Sequence, residues 1–123
     1  AYDIIMASEI MGLTHLERQI VASTVLYNNR PLDSYENVAD KLDVESYMTA
    51  AKLAAILRVS NALDRSHRQK FKTIRVVLKK KELRITVESE DDIILEKGLL
   101  ANKSDSFEAI FGIKPILREK RSF

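Results

Sequence analysis

The chain has 123 residues, 46% of them hydrophobic and 31% charged, with a formal net charge of +2. That length sustains one domain with a core, and the composition is that of a soluble globular protein. The absence of cysteine excludes a disulfide framework, a thiol nucleophile and a Cys-based zinc site. No apolar run approaches the ~20 residues needed to cross a bilayer, no signal peptide is visible, and a cytoplasmic location is expected.

From the first residue, Tyr2-Asp-Ile-Ile-Met-Ala reads as the opening of a helix over 2–11, with Ile4, Ile5 and Ile10 as core. Ala1 rather than Met starts the chain, so a piece of a longer protein is expected. Gly12 fits the position after a helix end. Thr14-His-Leu-Glu17 is a capping-box pattern and predicts a helix from about His15 to Asn28, its apolar side made by Leu16, Ile20, Val21, Val25 and Leu26. Pro31 disfavours helix at the residue before it and ends that element. Ser34 then caps a short helix carrying Val38, Ala39 and Leu42.

The stretch from about Ser46 to Arg68 contains no Gly or Pro and is rich in Ala and Leu, which predicts a long helix. Before Arg58 it is apolar nearly all round, as in a central, buried helix. Beyond it, Arg58, Asn61, Asp64, Arg65 and Arg68 fall on one side at helical spacing. An anion site is one reading of that arc; surface polarity with an Asp64–Arg68 pair is the other.

The period then becomes two. Ile74, Val76 and Leu78 alternate with Arg75 and Lys79; Leu83, Ile85 and Val87 alternate with Arg84, Thr86 and Glu88. Two strands of a hairpin turning near Lys79–Glu82 follow, although the turn lacks Gly, Asn or Asp. Ser89 and Asp92 start a helix over roughly 90–102, with Ile93, Leu95, Leu99 and Leu100 inward. Ser106 to Gly112 adds about two more turns. Ile113, Ile116 and Leu117 predict a final strand, which Pro115 places at a sheet edge. The organisation is helices first, then β-β-α-β, an α+β class with a sub-domain junction near Lys70–Thr73.

Charge is segregated along the chain. Residues 64–84 hold nine Lys and Arg against Asp64 and Glu82, and 88–96 are acidic in return. Arg65, Arg68, Lys70, Lys72 and Arg75 run from the helix end into the first strand, where guanidinium forks and ammonium groups could meet a polyanion. Arg58, Asn61 and Asp64 would support them from the helix. Ordinary surface lysines and arginines are the plainer alternative, and Lys79–Lys81 serve to solubilise a hairpin tip.

Other chemistry has no signature. His15 and His67 have no neighbouring ligand at metal spacing. The three glycines are isolated, so no phosphate-cradling loop exists. No basic and aromatic pattern for stacking RNA and no DNA-reading motif is present, so nucleic acid is not an expected partner.

At the long helix, Lys52-Leu-Ala-Ala-Ile-Leu-Arg-Val-Ser-Asn-Ala-Leu-Asp-Arg-Ser-His67 resembles the Leu-Arg-x-Ala-Asp-Ala-Leu-Asp-Arg-Ser segment of exopolyphosphatase / guanosine pentaphosphatase (Ppx/GppA) proteins. Tyr2-Asp-Ile-Ile with Gly12-Leu-Thr-His-Leu-Glu-Arg-Gln-Ile-Val-Ala22, Leu26-Tyr-Asn-Asn-Arg30 and Phe107-Glu-Ala-Ile-Phe-Gly112 are similar to further elements of that family, in the same order.

The resemblance implies a single C-terminal domain fragment over 1–123, with a helical part like an HD phosphohydrolase domain at 1–69 and a β-β-α-β part at 70–123. It implies N-terminal actin-like domains in the parent chain that hold the catalytic machinery and Mg²⁺, with no cofactor in this fragment and no catalysis by it alone. It implies polyphosphate or guanosine pentaphosphate as ligand, and a homodimer. Asn61 stands where the family and the HD fold carry Asp, and Asn28 where the family has His. A neutral amide is a poor substitute for a carboxylate on a hard cation, so both departures argue against metal chemistry. A metal-dependent HD-type phosphohydrolase and a purely structural dimerisation module are the alternative readings.

Overall fold

The computed structural model describes residues 1–8, 12–64 and 70–120. In chain order these form α1 (Tyr2–Ala7), α2 (His15–Asn29), α3 (Tyr35–Val38), α4 (Val44–Leu63), β1 (Thr73–Lys79), β2 (Glu82–Glu88), α5 (Ile94–Phe111) and β3 (Lys114–Glu119). Helices precede a β-β-α-β unit, which is the α+β class that the change of period predicts. The chain divides into two compact units, Ala1–Ala54 and Ala55–Phe123, with the division inside α4.

In the first unit the capping box forms as its residues require. The Thr14 hydroxyl accepts from the Glu17 amide at 3.1 Å, and the Glu17 carboxylate accepts from the Thr14 amide at 3.0 Å. Those hydrogen bonds hold the Glu17 carboxyl below its ordinary range. Helix α2 stops where Arg30 turns extended before Pro31. The turn beyond it is pinned at Asp33, whose carboxylate accepts from Tyr27 Oη at 3.1 Å and Arg30 Nη2 at 2.8 Å, while Tyr47 Oη donates to its carbonyl. Burial, then the bond to Asp33, push the Tyr27 hydroxyl up to about 12.

Several expected core positions lie at the surface. Ile4, Leu16 and Val21 are exposed, and Ile10 and the Asp64–Arg68 pair lie outside the described residues. In α4 the buried stripe is alanine, Ala50, Ala51, Ala54, Ala55 and Ala62 with Val59, while Leu53, Ile56 and Leu57 face outward. The expectation of a helix buried all round is therefore corrected: small side chains allow close packing on one side, and the large apolar ones crowd the other.

In the second unit, α5 runs unbroken through Ser104 and joins the helix expected over roughly 90–102 to the turns expected from Ser106. Ser104 is buried with its hydroxyl donating to the Ala101 carbonyl at 3.2 Å, which satisfies the group without breaking the helix. Leu95, expected inward, is exposed. Gly112 takes φ +68 after the last turn and donates its amide to the Glu108 carbonyl at 2.8 Å, a conformation that favours glycine.

The sheet has the order β1-β2-β3. β1 and β2 are antiparallel, Thr73 opposite Glu88 through Lys79 opposite Glu82. β3 runs parallel to β2, Glu82 opposite Lys114 through Val87 opposite Glu119, a pairing that needs a crossover connection, here supplied by α5. The hairpin turns on Lys80 and Lys81, with Lys80 at φ +53, so lysine occupies a left-handed position where Gly or Asn would be expected. Residues opposite one another share a sheet face. On one face Ile85, Val87 and Leu117 meet Leu100 and Phe107 of α5, with Ile93 and with Ala55, Val59 and Ala62 of α4. The other face carries Thr73, Arg75 and Lys79 of β1, Glu82, Arg84, Thr86 and Glu88 of β2, and Lys114 and Arg118 of β3.

Candidate anion-binding face

The pleat and register decide what the polar sheet face carries. Arg75, Thr86 and Arg118 lie side by side across β1, β2 and β3. The next row is Val77, Arg84 and Ile116, and the one after it Lys79, Glu82 and Lys114. With strands about 4.8 Å apart, the Arg75 and Arg118 guanidinium groups flank Thr86 on a shallow depression of about 600 Å³ that Lys79, Arg84 and Lys120 also line. The Lys120 amide donates to the Val87 carbonyl at 2.7 Å and carries the chain past β3 beside that row. A second open depression of about 700 Å³, lined by Lys79, Lys80, Lys81, Glu82 and Arg84, continues the surface to the hairpin tip.

Carboxylates compensate part of this charge. Glu82 accepts from Arg84 Nε at 3.0 Å, leaving the rest of that guanidinium fork directed elsewhere, and Glu88 accepts from the Thr73 hydroxyl at 3.3 Å. The face remains strongly cationic. Two-dimensional spacing of guanidinium groups on a rigid sheet suits several phosphate or carboxylate groups at once, more than a single small anion.

The residues predicted from sequence divide. Arg75 lies on this face, on the edge strand β1. Arg65 and Arg68 lie outside the described residues. Lys70 is half-withdrawn from solvent: its Nζ sits 3.1 Å from Oε1 of the fully buried Glu96 and donates to the Asp92 carbonyl at 2.9 Å. Lys72 is paired with Glu90, and the hydrogen bond and charge of that pair raise the Lys72 ammonium and lower the Glu90 carboxyl from their ordinary ranges. Lys70 and Lys72 thus join the first strand's approach to the acidic segment before α5. Arg58 reaches the Ser106 hydroxyl at 3.3 Å, tying α4 to α5; Asn61 is exposed and Asp64 half-buried just beyond it.

Arg84, Arg118 and Lys120 are the cations that the sequence reading left out. Alternation marks Arg84 as solvent-facing, like Arg75. Nothing local shows that β3 lies next to β2 and brings Arg118 into the same row. Among the described residues no group of three His, Asp or Glu side chains is placed to hold a metal ion, and no helix is long and apolar enough to cross a membrane.

Fold and surface together define an α+β domain with a cationic sheet face. The chain belongs to the Ppx/GppA phosphatase family: residues 1–106 match the family model described as Ppx/GppA phosphatase, domain III. A comparison with curated proteins found no match.

Proposed function

We propose that this chain is an accessory domain of an exopolyphosphatase-type phosphohydrolase, that it binds polyphosphate on the polar face of its sheet, and that it associates with a second copy of itself. The actin-like catalytic domains and their Mg²⁺ would belong to the rest of the parent protein, in the cytoplasm. The observation that carries the binding reading is the row Arg75–Thr86–Arg118 with Arg84 beside it. Family membership supplies the class of ligand, and the sheet supplies the charge. A polymeric phosphate neutralises several dispersed cations simultaneously and gains from releasing its counterions. Arg75 contributes together with Arg84 and Arg118; Lys79 and Lys120 widen the track. Arg65 and Arg68, contacts in the sequence reading, lie outside the described residues, while Lys70 and Lys72 chiefly hold the strand to Glu96 and Glu90.

Charge reversal tests the assignment. Arg84→Glu with Arg118→Glu should weaken polyphosphate binding at least ~10-fold and flatten its salt dependence, since two phosphate contacts are lost. Lys97→Glu, an exposed position on α5, should change little. Circular dichroism reports whether the variants keep their fold. Unchanged affinity in the double variant would remove the sheet face from the site.

A further inference from the structure

Among the described residues, β1 is the strand whose apolar side is most exposed. Ile74, Val76 and Leu78 are 56%, 55% and 60% exposed, although Val87, Ile85 and Leu83 opposite them on β2 belong to the core or pack against it. The outer edge of β1 also has no neighbour in the sheet. An edge strand of this length, with large apolar residues on one side and open amide and carbonyl groups, is a template for another strand.

We infer that the strand that covers it is β1 of a second copy, antiparallel and centred on Val76. The sequence Thr73-Ile-Arg-Val-Val-Leu-Lys79 is self-complementary in that register. Ile74 would face Leu78 of the other copy, Val76 its own counterpart, and Arg75 would face Val77. The six apolar side chains then form one continuous patch, as an isologous contact requires. No arginine directly opposes an arginine, so the like-charge penalty of a cross-strand pair is avoided.

Charge points to the same register. The turn end of β1 carries Lys79, Lys80 and Lys81, all exposed; at its beginning Lys72 is already paired with Glu90 and Lys70 with Glu96, which leaves Glu88 and the exposed Asp91 and Asp92 as the acidic surplus. Antiparallel pairing sets the lysine tip of each copy against the acidic end of the other, twice over by symmetry. A parallel pairing would set lysine against lysine and is disfavoured. The two cationic sheet faces would become one, on the side away from the apolar patch. This inference rests on the self-association in the proposed function and names its surface.

Sedimentation equilibrium of the chain over a concentration series tests it. The wild type should show a monomer–dimer equilibrium, and Val76→Asp should weaken the dimer at least ~10-fold. Lys81→Glu and Asp91→Lys, both on exposed turns, should each weaken it by roughly tenfold, because each change acts at two symmetric places. The double variant Lys81→Glu/Asp91→Lys should recover the wild-type dimer, a rescue that a general loss of stability would not give. A dimer indifferent to all these changes would overturn the β1 surface and leave self-association standing. A monomer at every concentration would overturn both, with polyphosphate binding judged separately.

Discussion

Glu96 is a carboxylate with no exposure to water, held at 3.1 Å by Lys70. Sequence marks Lys70 only as one of a run of cations, because nothing in the pattern says that a lysine before β1 will reach a glutamate in the first turn of α5. The pair explains why a residue read as a ligand contact acts on the fold. Lys70→Met should cost about 3 kcal/mol in urea unfolding, since it strands charge in the interior. Lys70→Met/Glu96→Met should recover most of that loss, because apolar groups of similar volume can replace a buried pair at little cost. A single variant as stable as the wild type would show that the pair contributes nothing.

At the scale of elements, much was legible before any coordinates. Thr14 and Glu17 fix the start of α2, the two-residue alternation fixes β1 and β2, and Pro115 fixes β3 as an edge strand. Two things were not. Leu95 read as an inward residue of α5, yet it is exposed near the start of that helix. The long apolar helix read as buried all round, yet its alanines are what it buries. Periodicity tells which residues share a side, and residue size tells which side can pack closely. The end of α5 carries its own test. Gly112 sits at φ +68 with open space around its Cα, so Gly112→Ala meets backbone strain without a clash. It should lower stability by about 1 kcal/mol, whereas Gly112→Asn should cost less. An alanine variant with unchanged melting temperature would contradict the left-handed cap.

For the whole molecule, the candidate site depended on topology more than on motif. The sequence placed a basic run at 64–84 and so found Arg75. It could not place Arg118, more than forty positions onward, because a parallel strand reached through a helix leaves no local mark of its neighbour. Among the described residues the basic run spreads over two places: the ion pairs of Lys70 and Lys72 with Glu96 and Glu90, and the polar sheet face with the hairpin tip. Of these, the sheet face carries the guanidinium groups. The family match supports the proposed polyphosphate ligand, and the polar sheet face is where the proposal puts it. Calorimetry of this chain with polyphosphate, at low and at physiological salt and with inorganic phosphate as control, tests that most directly. The account predicts binding of the polymer that falls steeply with salt, and none of comparable strength for phosphate alone. No binding of polyphosphate at low salt would contradict it.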